Sequence, residues 1–236
     1  MSLSIVIPCY NEEKVIAKTI HYIQKSIKKI NYEIVIIDDF STDNTLKIVN
    51  ELINKYSNIR IIKNNKKGLG GAINVGISSS KNKFLCIFMS DMSDSISDLK
   101  NYYKLIKNKK VDAIFGSRFL SKSSVIDYPY FKLLLNRIFN LFVKILFLSN
   151  YNDFTNAFKI YNRKSLLKLR PFVSENFNIF LELSLKIISR KLKYIIIPIG
   201  WKNRKKGSSK FRIRELGSKY FFTLLYCWLE KILILK

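Results

Sequence analysis

The sequence is poor in the residues that build disulfide frameworks and zinc sites. Its 236 residues include three cysteines and a single histidine, His21. Cys9, Cys86 and Cys227 show no paired spacing and stand among apolar neighbours. We therefore predict buried thiols in a reducing compartment, and neither disulfides nor a zinc site. His21 lies inside a helical pattern and is interpreted as structural.

Long uncharged apolar runs are also missing. No stretch reaches the ~18 apolar residues that a membrane-spanning helix needs. Arg137 and Lys144 interrupt residues 133–148, and Glu230 and Lys231 follow the short apolar run at 220–229. Residues 2–8 already follow a strand pattern, so no cleavable signal peptide is expected. The sequence therefore predicts a cytoplasmic protein.

Acidic residues are scarce. There are 42 Lys and Arg against 17 Asp and Glu, which gives a formal net charge of +25. Such an excess predicts anionic partners: nucleic acid, nucleotide phosphates or an acidic membrane surface. Part of it reflects a general abundance of Lys, Ile and Asn. With 48% hydrophobic and 25% charged residues, the composition excludes a disordered chain and a polytopic membrane protein.

Strand and helix patterns alternate through residues 1–118. Apolar strand runs are predicted at residues 3–8, 32–38, 59–63, 84–89 and 111–116, and a helical pattern follows each of the first four. Alternating strands and helices form a doubly wound, mostly parallel sheet. No internal repeat or linker divides this half, so we expect one α/β domain.

The pattern changes after Arg118. Residues 128–148 and 217–235 are predicted to be long helices, with wide apolar faces and many Lys and Arg. A helix near 177–189 and a strand at 194–199 lie between them. The long helices fit amphipathic segments in a membrane interface. The alternative is that they cover the sheet and pair with each other.

An acidic cluster follows the fourth strand run. Asp91 and Asp94, separated by Met92 and Ser93, come directly after apolar residues 84–89. Ligands of open α/β sheets bind at the carboxyl ends of the strands. Carboxylates there suit Mg²⁺ or Mn²⁺ bound to a diphosphate, because hard cations take oxygen ligands. The alternative is that these residues cap the following helix.

Two nucleotide-binding signatures are absent or incomplete in this sequence. The turn after the first strand contains no glycine, and no P-loop occurs. Residues 68–71 (Gly-Leu-Gly-Gly) follow the third strand and lack the last glycine of a dinucleotide fingerprint. These observations argue against a dehydrogenase or a P-loop NTPase.

Tyr10 instead offers an aromatic ring, and Glu12, Asp38 and Asp39 can accept hydrogen bonds from a base or ribose. Asp38 and Asp39 alternatively cap a turn.

Six motifs in order resemble the family-2 glycosyltransferases. They are residues 5–12 (IVIPCYNE), 35–43 (VIIDDFSTD), 67–70 (KGLG), 90–94 (SDMSD), 116–119 (GSRF) and 203–210 (NRKKGSSK). Within that family the chain looks most like the dolichyl-phosphate mannosyltransferase branch and its bacterial polyprenyl-phosphate relatives. The resemblance runs over essentially the whole chain.

The resemblance implies a fold and a division of the chain. It implies a single GT-A type, Rossmann-like α/β domain over residues 1–236, with a mostly parallel sheet and C-terminal amphipathic interfacial helices. Residues 1–118 would form the nucleotide-sugar-binding half and residues 119–213 the acceptor half. Residues 214–236 would form the C-terminal amphipathic helix.

The resemblance also implies site residues. The expected nucleotide-sugar-binding set is Pro8, Tyr10, Glu12, Asp38, Asp39, Gly68, Ser90, Asp91 and Lys210. Asp91 would bind Mg²⁺ or Mn²⁺ between the two phosphates, and Asp91, Arg118 and Arg204 form the expected catalytic set. Arginine's planar fork suits phosphate oxygens, and lysine adds a point charge. For Arg204, Lys210 and their neighbours the alternatives are a solvated basic loop or adhesion to acidic lipid.

One residue departs from the family pattern. Met89 stands where the family has the first acid of an Asp-X-Asp triplet, which leaves Asp91 as the main protein ligand and Asp94 as a second candidate. Mg²⁺ tolerates one or two carboxylates together with water and phosphate oxygens. A later signature of the branch, Asp-X-Thr, appears as Asp153-Phe154-Thr155, near where the branch places its acceptor.

The predicted function is metal-dependent, inverting transfer of a sugar from a nucleoside diphosphate sugar to a membrane lipid phosphate such as polyprenyl phosphate. A phosphate acceptor is already anionic and needs no general base, and the sequence offers only Asp94, Asp153 and Glu182 as bases. Candidate acceptor residues are Lys132, Arg137 and Asp153. The alternative for Lys132 and Arg137 is that they face lipid headgroups. We expect no nucleic-acid partner and a peripheral location on the inner face of the cytoplasmic membrane.

Three alternatives stay open. A glycosyltransferase could act on a glycolipid or polysaccharide hydroxyl, which requires a carboxylate base near the acceptor. A nucleotide-binding pseudoenzyme is suggested by Met89. The third is a basic nucleic-acid-binding protein, for which the sequence shows no readout element.

Overall fold

The computed structural model describes residues 2–202 and 213–234. The strands are β1 (Leu3–Cys9), β2 (Tyr32–Asp38), β3 (Ile59–Lys63), β4 (Phe84–Ile87), β5 (Ala113–Ser117), β6 (Ser124–Ile126), β7 (Lys159–Asn162), β8 (Tyr194–Pro198) and β9 (Gly200–Lys202). The helices are α1 (Ile16–Ser26), α2 (Thr45–Lys55), α3 (Leu69–Ser79), α4 (Ile96–Lys109), α5 (Tyr130–Phe147), α6 (Arg163–Lys168), α7 (Ile179–Ser189) and α8 (Ile213–Ile234).

A seven-stranded sheet forms the centre of the molecule, in the order β3-β2-β1-β4-β7-β5-β8. The pairs β1–β2, β1–β4, β2–β3 and β5–β8 are parallel. Only β7 runs antiparallel to its two neighbours, β4 and β5. The predicted α/β domain with a mostly parallel sheet is therefore confirmed. Its division at residues 118 and 213 stays a prediction.

Strand β7 was not predicted from the sequence. It has four residues, and Lys159, Ile160 and Tyr161 are fully buried in it. A strand this short that contains a buried lysine shows no recognisable alternation of apolar and polar residues. Its place between β4 and β5 is decided by tertiary pairing, which routinely overrides local propensity.

A small two-stranded ribbon also escaped prediction. Strands β6 and β9 pair in parallel, so the chain beyond β8 runs beside residues 124–126 in the same direction. Trp201 continues this contact through an isolated antiparallel bridge to Asp94, and the Lys202 amide donates to the Ser93 carbonyl oxygen at 3.3 Å. The ribbon therefore connects the last part of the sheet to the loop that follows β4.

The sheet is buried on both faces. Val6, Val35 and Ile37 contribute to the cluster that contains α3, α7 and parts of α5 and α8. Ile5 and Ile36 point to the opposite cluster, which contains α1, α2 and α4. Burial on both faces explains why these strands read as continuous apolar runs. Cys9, Cys86 and Cys227 are buried, which confirms the burial predicted for their thiols.

The first two helices do not follow their strands directly, because β1 ends at Cys9 and α1 begins at Ile16, and β2 ends at Asp38 and α2 begins at Thr45. Asn11 does not cap α1, because α1 starts at Ile16 and the Asn11 Oδ1 atom accepts the Thr42 amide at 2.8 Å. Helix α2 starts at Thr45, whose amide donates to Asp43 Oδ1 at 2.9 Å. The two intervening loops therefore bind each other at the carboxyl edge of the sheet and do not extend the helices.

Helices α5 and α8 pack together but leave large apolar side chains exposed. Phe139 of α5 meets Tyr220 of α8 edge to face, with ring centroids 5.7 Å apart. Large exposed apolar residues of α5 are Tyr130, Phe131, Leu134, Leu135, Ile138, Leu141, Phe142 and Ile145. Those of α8 are Phe221, Phe222, Leu225, Leu229, Ile232 and Leu233. In the described part of the chain, no helix combines the length and apolar character needed to cross a bilayer. The amphipathic character expected of these helices stays a prediction.

Candidate active site

An open cleft of about 1330 Å³ lies where β1, β2, β4 and β5 end. Parallel strands in one sheet bring their carboxyl ends to one edge, and this is the edge at which open α/β sheets bind ligands. Residues beyond these strands form one side of the cleft. The other side is formed by α5, α8 and residues 175–180. The sheet therefore meets the two long helices across a single cavity.

One end of the cleft contains most of the residues expected to bind the donor. Pro8, Tyr10, Glu12, Asp39 and Gly68 all line it. They come from three different strand ends, which the sheet order β3-β2-β1 places side by side. The structure therefore brings these five predicted residues together in one cleft, and their function stays a prediction.

Asp39 is held by the turn that precedes α3. Its Oδ1 atom accepts hydrogen bonds from Asn64 Nδ2 at 2.7 Å and from the Gly68 amide at 2.8 Å. Gly68 has φ +125°, which a side chain rarely adopts. The carboxylate is thus fixed in orientation while it still borders the cleft.

Lys67 is a cleft residue that had no predicted role. Lys67 is exposed, and its Nζ atom lies 5.7 Å from the centroid of the Tyr10 ring. A cation above an aromatic face is attracted by the ring quadrupole, and this contact places a positive charge at the donor end. Its position next to Gly68 in the 67–70 motif could have identified Lys67 as a cleft residue from the sequence.

The acidic loop after β4 forms the floor of the cleft. Ser90 is buried, and its carbonyl oxygen accepts Thr19 Oγ1 at 2.6 Å. Asp91 Oδ1 accepts the Ser93 amide at 3.0 Å, and Met92 between them has φ +58°. This tight turn presents the partly exposed Asp91 beside the buried Asp94, and both line the cleft.

Asp94 is an unusual carboxyl group. Only 5% of the residue is exposed, and its Oδ2 atom finds no hydrogen-bond partner among the described residues. Burial, reinforced by the negative charge of Asp91, raises the pKa of Asp94 to about 8. A buried carboxyl oxygen with no donor suits a cation or a substrate proton.

Arg118 and Asp153 form a buried ion pair. Arg118 donates from Nε to Asp153 Oδ2 at 2.8 Å and from Nη2 to Asp153 Oδ1 at 2.6 Å. The Arg118 backbone amide also donates to Asp153 Oδ2, at 2.9 Å. Burial alone would lower the pKa of Arg118, but Asp153 raises it overall, so the guanidinium stays charged. Arg118 lines the cleft, whereas Asp153 lies behind it and is fully buried.

Three aromatic rings surround the Arg118 guanidinium. Its Cζ atom lies 5.3 Å from the ring centroid of Phe119, 5.6 Å from Tyr128 and 5.7 Å from Trp201. Tyr128 and Trp201 also contact each other, with centroids 4.9 Å apart. Arginine stacks well on such faces because it is weakly hydrated. The rings and Asp153 together hold one permanent positive charge at the cleft wall.

The far side of the cleft is largely apolar. Lys132 and Asn136 of α5 line it, and Asn136 Nδ2 donates to Thr155 Oγ1 at 2.7 Å. The apolar part of this wall consists of Leu135, Phe139, Phe177, Phe180 and Tyr220. Polar groups at the sheet edge and apolar groups on the helices therefore border the same space.

Several predicted residues are not brought to the cleft. Asp38 is buried at the end of β2, and its carboxylate faces the Ser41 amide at 3.4 Å, which fits the turn-capping alternative. Arg137 is exposed, and its guanidinium lies 4.6 Å from the centre of the Phe119 ring. Asp153 is fully buried behind the cleft. Arg204 and Lys210 lie outside the described residues.

Comparison with known proteins gives the family. The model of glycosyl transferase family 2 matches residues 4–170, which is more than half of the chain. The chain belongs to glycosyl transferase family 2. The matched range contains the strand ends, the acidic loop and the Arg118–Asp153 pair described above.

Curated relatives place the chain near one branch of family 2. It is 25% identical over 217 residues to a dolichol-phosphate mannosyltransferase of Pyrococcus furiosus, covering 90% of this chain and 60% of the relative. It is 30% identical over 181 residues to a human dolichyl-phosphate beta-glucosyltransferase, covering 69% of this chain and 55% of the relative. These names confirm the resemblance to the polyprenyl-phosphate branch. The chain spans less than two thirds of the length of each.

Solved structures of other proteins share the fold. One is glucosyl-3-phosphoglycerate synthase from Mycobacterium tuberculosis, in complex with Mn²⁺, UDP and glucosyl-3-phosphoglycerate. The two structures align with a TM-score of 0.75 at 16% identity, over 96% of this chain and 79% of the synthase. The predicted fold class is therefore confirmed.

The acidic loop offers two carboxylates to a divalent cation. The described residues contain no group of three or more His, Cys, Asp or Glu side chains that could hold a metal ion. Asp91 and Asp94 nevertheless lie together in the cleft, and Asp94 Oδ2 has no hydrogen-bond partner there. Mg²⁺ is commonly held by one or two carboxylates together with phosphates and water, so these residues fit such an ion.

Other site residues escaped sequence reasoning. Tyr128 and Trp201 contact the Arg118 guanidinium, and Thr155 joins the loop before β7 to α5 through Asn136. Thr155 lies in the 153–155 signature, so a signal for it was present. Nothing local marks Tyr128 or Trp201, because β6 and β9 bring them to Arg118 only through tertiary pairing.

Proposed function

We propose that the protein is an inverting glycosyltransferase that moves a sugar from a nucleoside diphosphate sugar to a lipid phosphate, with Mg²⁺ or Mn²⁺ at Asp91. The observation that carries this proposal is the shared cleft. Carboxylates at the sheet edge and the apolar wall of α5 and α8 border one cavity. Such a cavity suits a reaction between a charged, water-soluble donor and an amphiphilic acceptor.

The donor is proposed to lie along the ends of β1, β2 and β4. Asp39 offers a fixed acceptor for the base or ribose, and Tyr10 offers an aromatic face near Lys67. Asp91 and Asp94 would hold a divalent cation, whose chemistry is to neutralise the charge that develops on the leaving diphosphate. Arg118 is a second permanent charge for the phosphates, already oriented by Asp153.

The acceptor is proposed to be a phosphate attached to a long apolar chain. Its head would meet Lys132 and Arg118, and its chain would lie along the apolar wall near Phe139 and Tyr220. A phosphate oxygen is anionic near neutral pH and attacks without a general base. Two of the three candidate bases are committed elsewhere, since Asp153 binds Arg118 and Glu182 binds backbone amides. The curated relatives named for dolichyl phosphate support this acceptor class.

A hydroxyl acceptor is the second candidate, and one observation favours it. Asp94 lines the cleft with an Oδ2 atom that has no donor among the described residues, as a general base would. In that case Asp94 would accept the proton of a glycolipid or polysaccharide hydroxyl. Asp94→Asn would then abolish transfer while leaving donor binding intact.

The site of action is proposed to be a membrane surface on the cytoplasmic side. Exposed apolar residues of α5, among them Phe131, Ile138 and Phe142, would enter the interface, while the net charge of +25 attracts anionic headgroups. Peripheral attachment would bring the cleft to a lipid phosphate without a spanning helix. Nucleic acid is not part of this proposal.

A transfer assay tests the function directly. The full chain is incubated with radiolabelled nucleotide sugars, Mg²⁺ or Mn²⁺, and polyprenyl phosphate in detergent. We expect label from one donor to enter the lipid fraction and to be lost on addition of EDTA. Asp91→Asn should abolish transfer, whereas Asp127→Asn, at an exposed aspartate that does not line the cleft, should not.

Two results would overturn the proposal. Transfer that persists undiminished in Asp91→Asn would remove the metal assignment. Failure of every nucleotide sugar to bind the wild-type protein would remove the enzyme assignment itself. Label that enters an added glycolipid hydroxyl but never the lipid phosphate would favour the second candidate.

A further inference from the structure

A buried glutamate far from the acidic loop organises one wall of the cleft. Glu182 of α7 is fully buried. Its carboxylate accepts the Val173 amide at 2.9 and 3.1 Å and the Ser174 amide at 2.8 Å. Hydrogen bonds from amides to an ionised carboxylate are stronger than neutral ones. Glu182 therefore fixes the backbone just before Glu175 and Asn176, which line the cleft.

The segment that Glu182 holds packs directly on the glycine turn of the donor end. The Gly70 amide donates to the Glu175 carbonyl oxygen at 2.8 Å. A Cβ atom at Gly68 would collide with that same oxygen, and one at Gly70 would collide with the Ser174 carbonyl oxygen. The two backbones are thus as close as glycine permits. Gly68 in turn donates its amide to Asp39 at 2.8 Å.

The same glutamate is connected to the C-terminal helix. Lys186, 1% exposed, lies 3.5 Å from Glu182 Oε1 and 3.3 Å from Glu230 Oε2 of α8. Glu230 also pairs with Arg190 at 2.5 Å. Asn178 adds a second connection, because its Nδ2 atom donates to Ser174 Oγ at 3.0 Å and to Thr223 Oγ1 of α8 at 2.8 Å. Helix α8 and residues 173–175 are therefore held by one network.

We propose that Glu182 is a positioning residue for the donor end of the cleft, and that Lys186 and Glu230 make donor affinity depend on how α8 is packed. The path runs from Glu230 through Lys186 and Glu182 to Ser174 and Glu175, then to Gly70, Gly68 and Asp39. Each step is a hydrogen bond, an ion pair or a close backbone contact. The inference rests on the proposed function, because it takes the Gly68 end of the cleft as the nucleotide site.

The consequence is a connection between the proposed lipid side and the donor side. Helix α8 carries exposed apolar residues such as Phe221 and Leu225, and it also contributes Lys219 and Tyr220 to the cleft. A change in the packing of α8 reaches Glu182 through buried charges, whose pairing geometry is stringent. Nucleotide binding and α8 packing then share one coupling free energy, so each stabilises the other by the same amount.

The test compares Glu182→Gln with Glu33→Gln in the full chain. Glutamine replaces one carboxylate oxygen by an NH₂ group, which cannot accept the Val173 or Ser174 amide. Glu33 is a matched control: it too accepts several hydrogen bonds, but from Ser4, Arg60 and Lys81 around β2 and β3, away from the cleft. Binding of UDP and of GDP is measured by calorimetry with MnCl₂, and amide exchange is followed in residues 66–72.

We expect Glu182→Gln to weaken binding of the accepted nucleotide by about tenfold, the equivalent of roughly one net hydrogen bond. Amide exchange at Gly70 should also become faster in that variant. Glu230→Gln keeps Glu182 in place and is the test variant if Glu182→Gln fails to fold. It should also weaken nucleotide binding and speed amide exchange at Gly70, but by less. Glu33→Gln should alter neither quantity.

The outcomes separate this inference from the proposed function. If the wild-type protein binds neither nucleotide, the proposed function fails. If it binds one, and a folded Glu182→Gln or Glu230→Gln binds it equally well with unchanged exchange at Gly70, the coupling is wrong. Equal weakening in Glu33→Gln would show a general loss of stability and would also overturn the positioning role.

Discussion

At the scale of single residues, buried charges decide which groups can act. Lys159 is fully buried, and its Nζ atom donates to the carbonyl oxygens of Phe154, Asn156 and Phe180. Two of those carbonyls belong to the loop that also carries Asp153. Asp153 in turn orients Arg118 through two side-chain hydrogen bonds. Lys159 and Asp153 therefore support the site from behind, and only Arg118 borders the cleft.

Asp153→Asn tests this support. The change removes the negative partner of the buried Arg118 and leaves its charge uncompensated. We expect the free energy of unfolding to fall by about 3 kcal/mol, typical of breaking a buried pair. Urea denaturation of Asp153→Asn, Arg118→Gln and the double variant measures it, and the double variant should lose less than the sum. Additive losses would show that Arg118 and Asp153 do not stabilise each other.

Lys159 predicts a pH dependence of stability. Burial lowers the pKa of Lys159 from 10.5 to about 7, with Asp153 opposing the shift and Arg118 adding to it. Between these values the native lysine is neutral while the unfolded lysine is protonated, so unfolding takes up a proton. Stability conferred at this site therefore rises with pH from about 7 towards 10.5 and is lowest below that window.

Urea denaturation of wild type and Lys159→Met between pH 6 and 10 checks this sign. The difference in unfolding free energy should move in favour of the wild type as the pH rises, by at most about 1.4 kcal/mol per pH unit. Differences that stay constant over the range would show that Lys159 keeps its proton in the native state.

At the scale of elements, the turn before α3 is the most constrained contact. Glycines at 68 and 70 let residues 174–175 approach so closely that their carbonyl oxygens occupy the space of a Cβ atom. Helix α3 begins directly after this turn, and Asp39 depends on the Gly68 amide. The turn therefore joins the first half of the chain to α7 at the donor end.

Gly70→Ala and Gly217→Ala form a matched pair for this contact. The first forces Cβ into the Ser174 carbonyl oxygen, and we expect it to lower the unfolding free energy by about 2 kcal/mol or more. The second lies within α8 with nothing within 4 Å of its Cβ position, so alanine should stabilise by about 0.5–1 kcal/mol. Equal effects in urea denaturation would contradict the close approach.

At the scale of the whole molecule, charge and apolar surface combine. The chain has a formal net charge of +25, and α5 and α8 expose many large apolar side chains. Exposed apolar patches of this kind mark interaction sites in soluble proteins. Both helices also border the cleft, so a surface that covers their apolar side chains would lie next to the proposed acceptor wall.

Ile138→Asp tests the membrane surface. Ile138 of α5 is 57% exposed, so the change should leave the fold intact while placing a charge among apolar groups. We expect it to reduce co-sedimentation with vesicles containing anionic lipid several-fold, and expect wild-type binding to weaken with salt. Tyr22→Asp on α1, at a residue 37% exposed, is the control. Equal retention of Ile138→Asp and wild type would contradict attachment through α5.

Much of the fold and part of the site followed from local patterns. The runs of branched residues in β1, β2 and β3 predicted buried parallel strands, because strands covered on both faces need apolar side chains at every position. Residue chemistry at strand ends predicted Tyr10, Asp39 and Asp91, and the family resemblance added Pro8 and Gly68. The sheet brings these residues to one edge because parallel strands end together.

Only the tertiary structure decided which charges face the cleft. Asp38 and Asp39 are adjacent in sequence, yet successive residues at a strand end point to opposite sides, and only Asp39 borders the cavity. Asp153 and Arg118 are 35 residues apart, and it is the antiparallel insertion of β7 beside β5 that joins them. The sequence by itself determined the layered architecture and the sheet edge at which the candidate site lies, since both follow from short-range periodicity. Long-range pairing determined the partners of each buried charge, because desolvation leaves such a group stable only where another element supplies its counterpart.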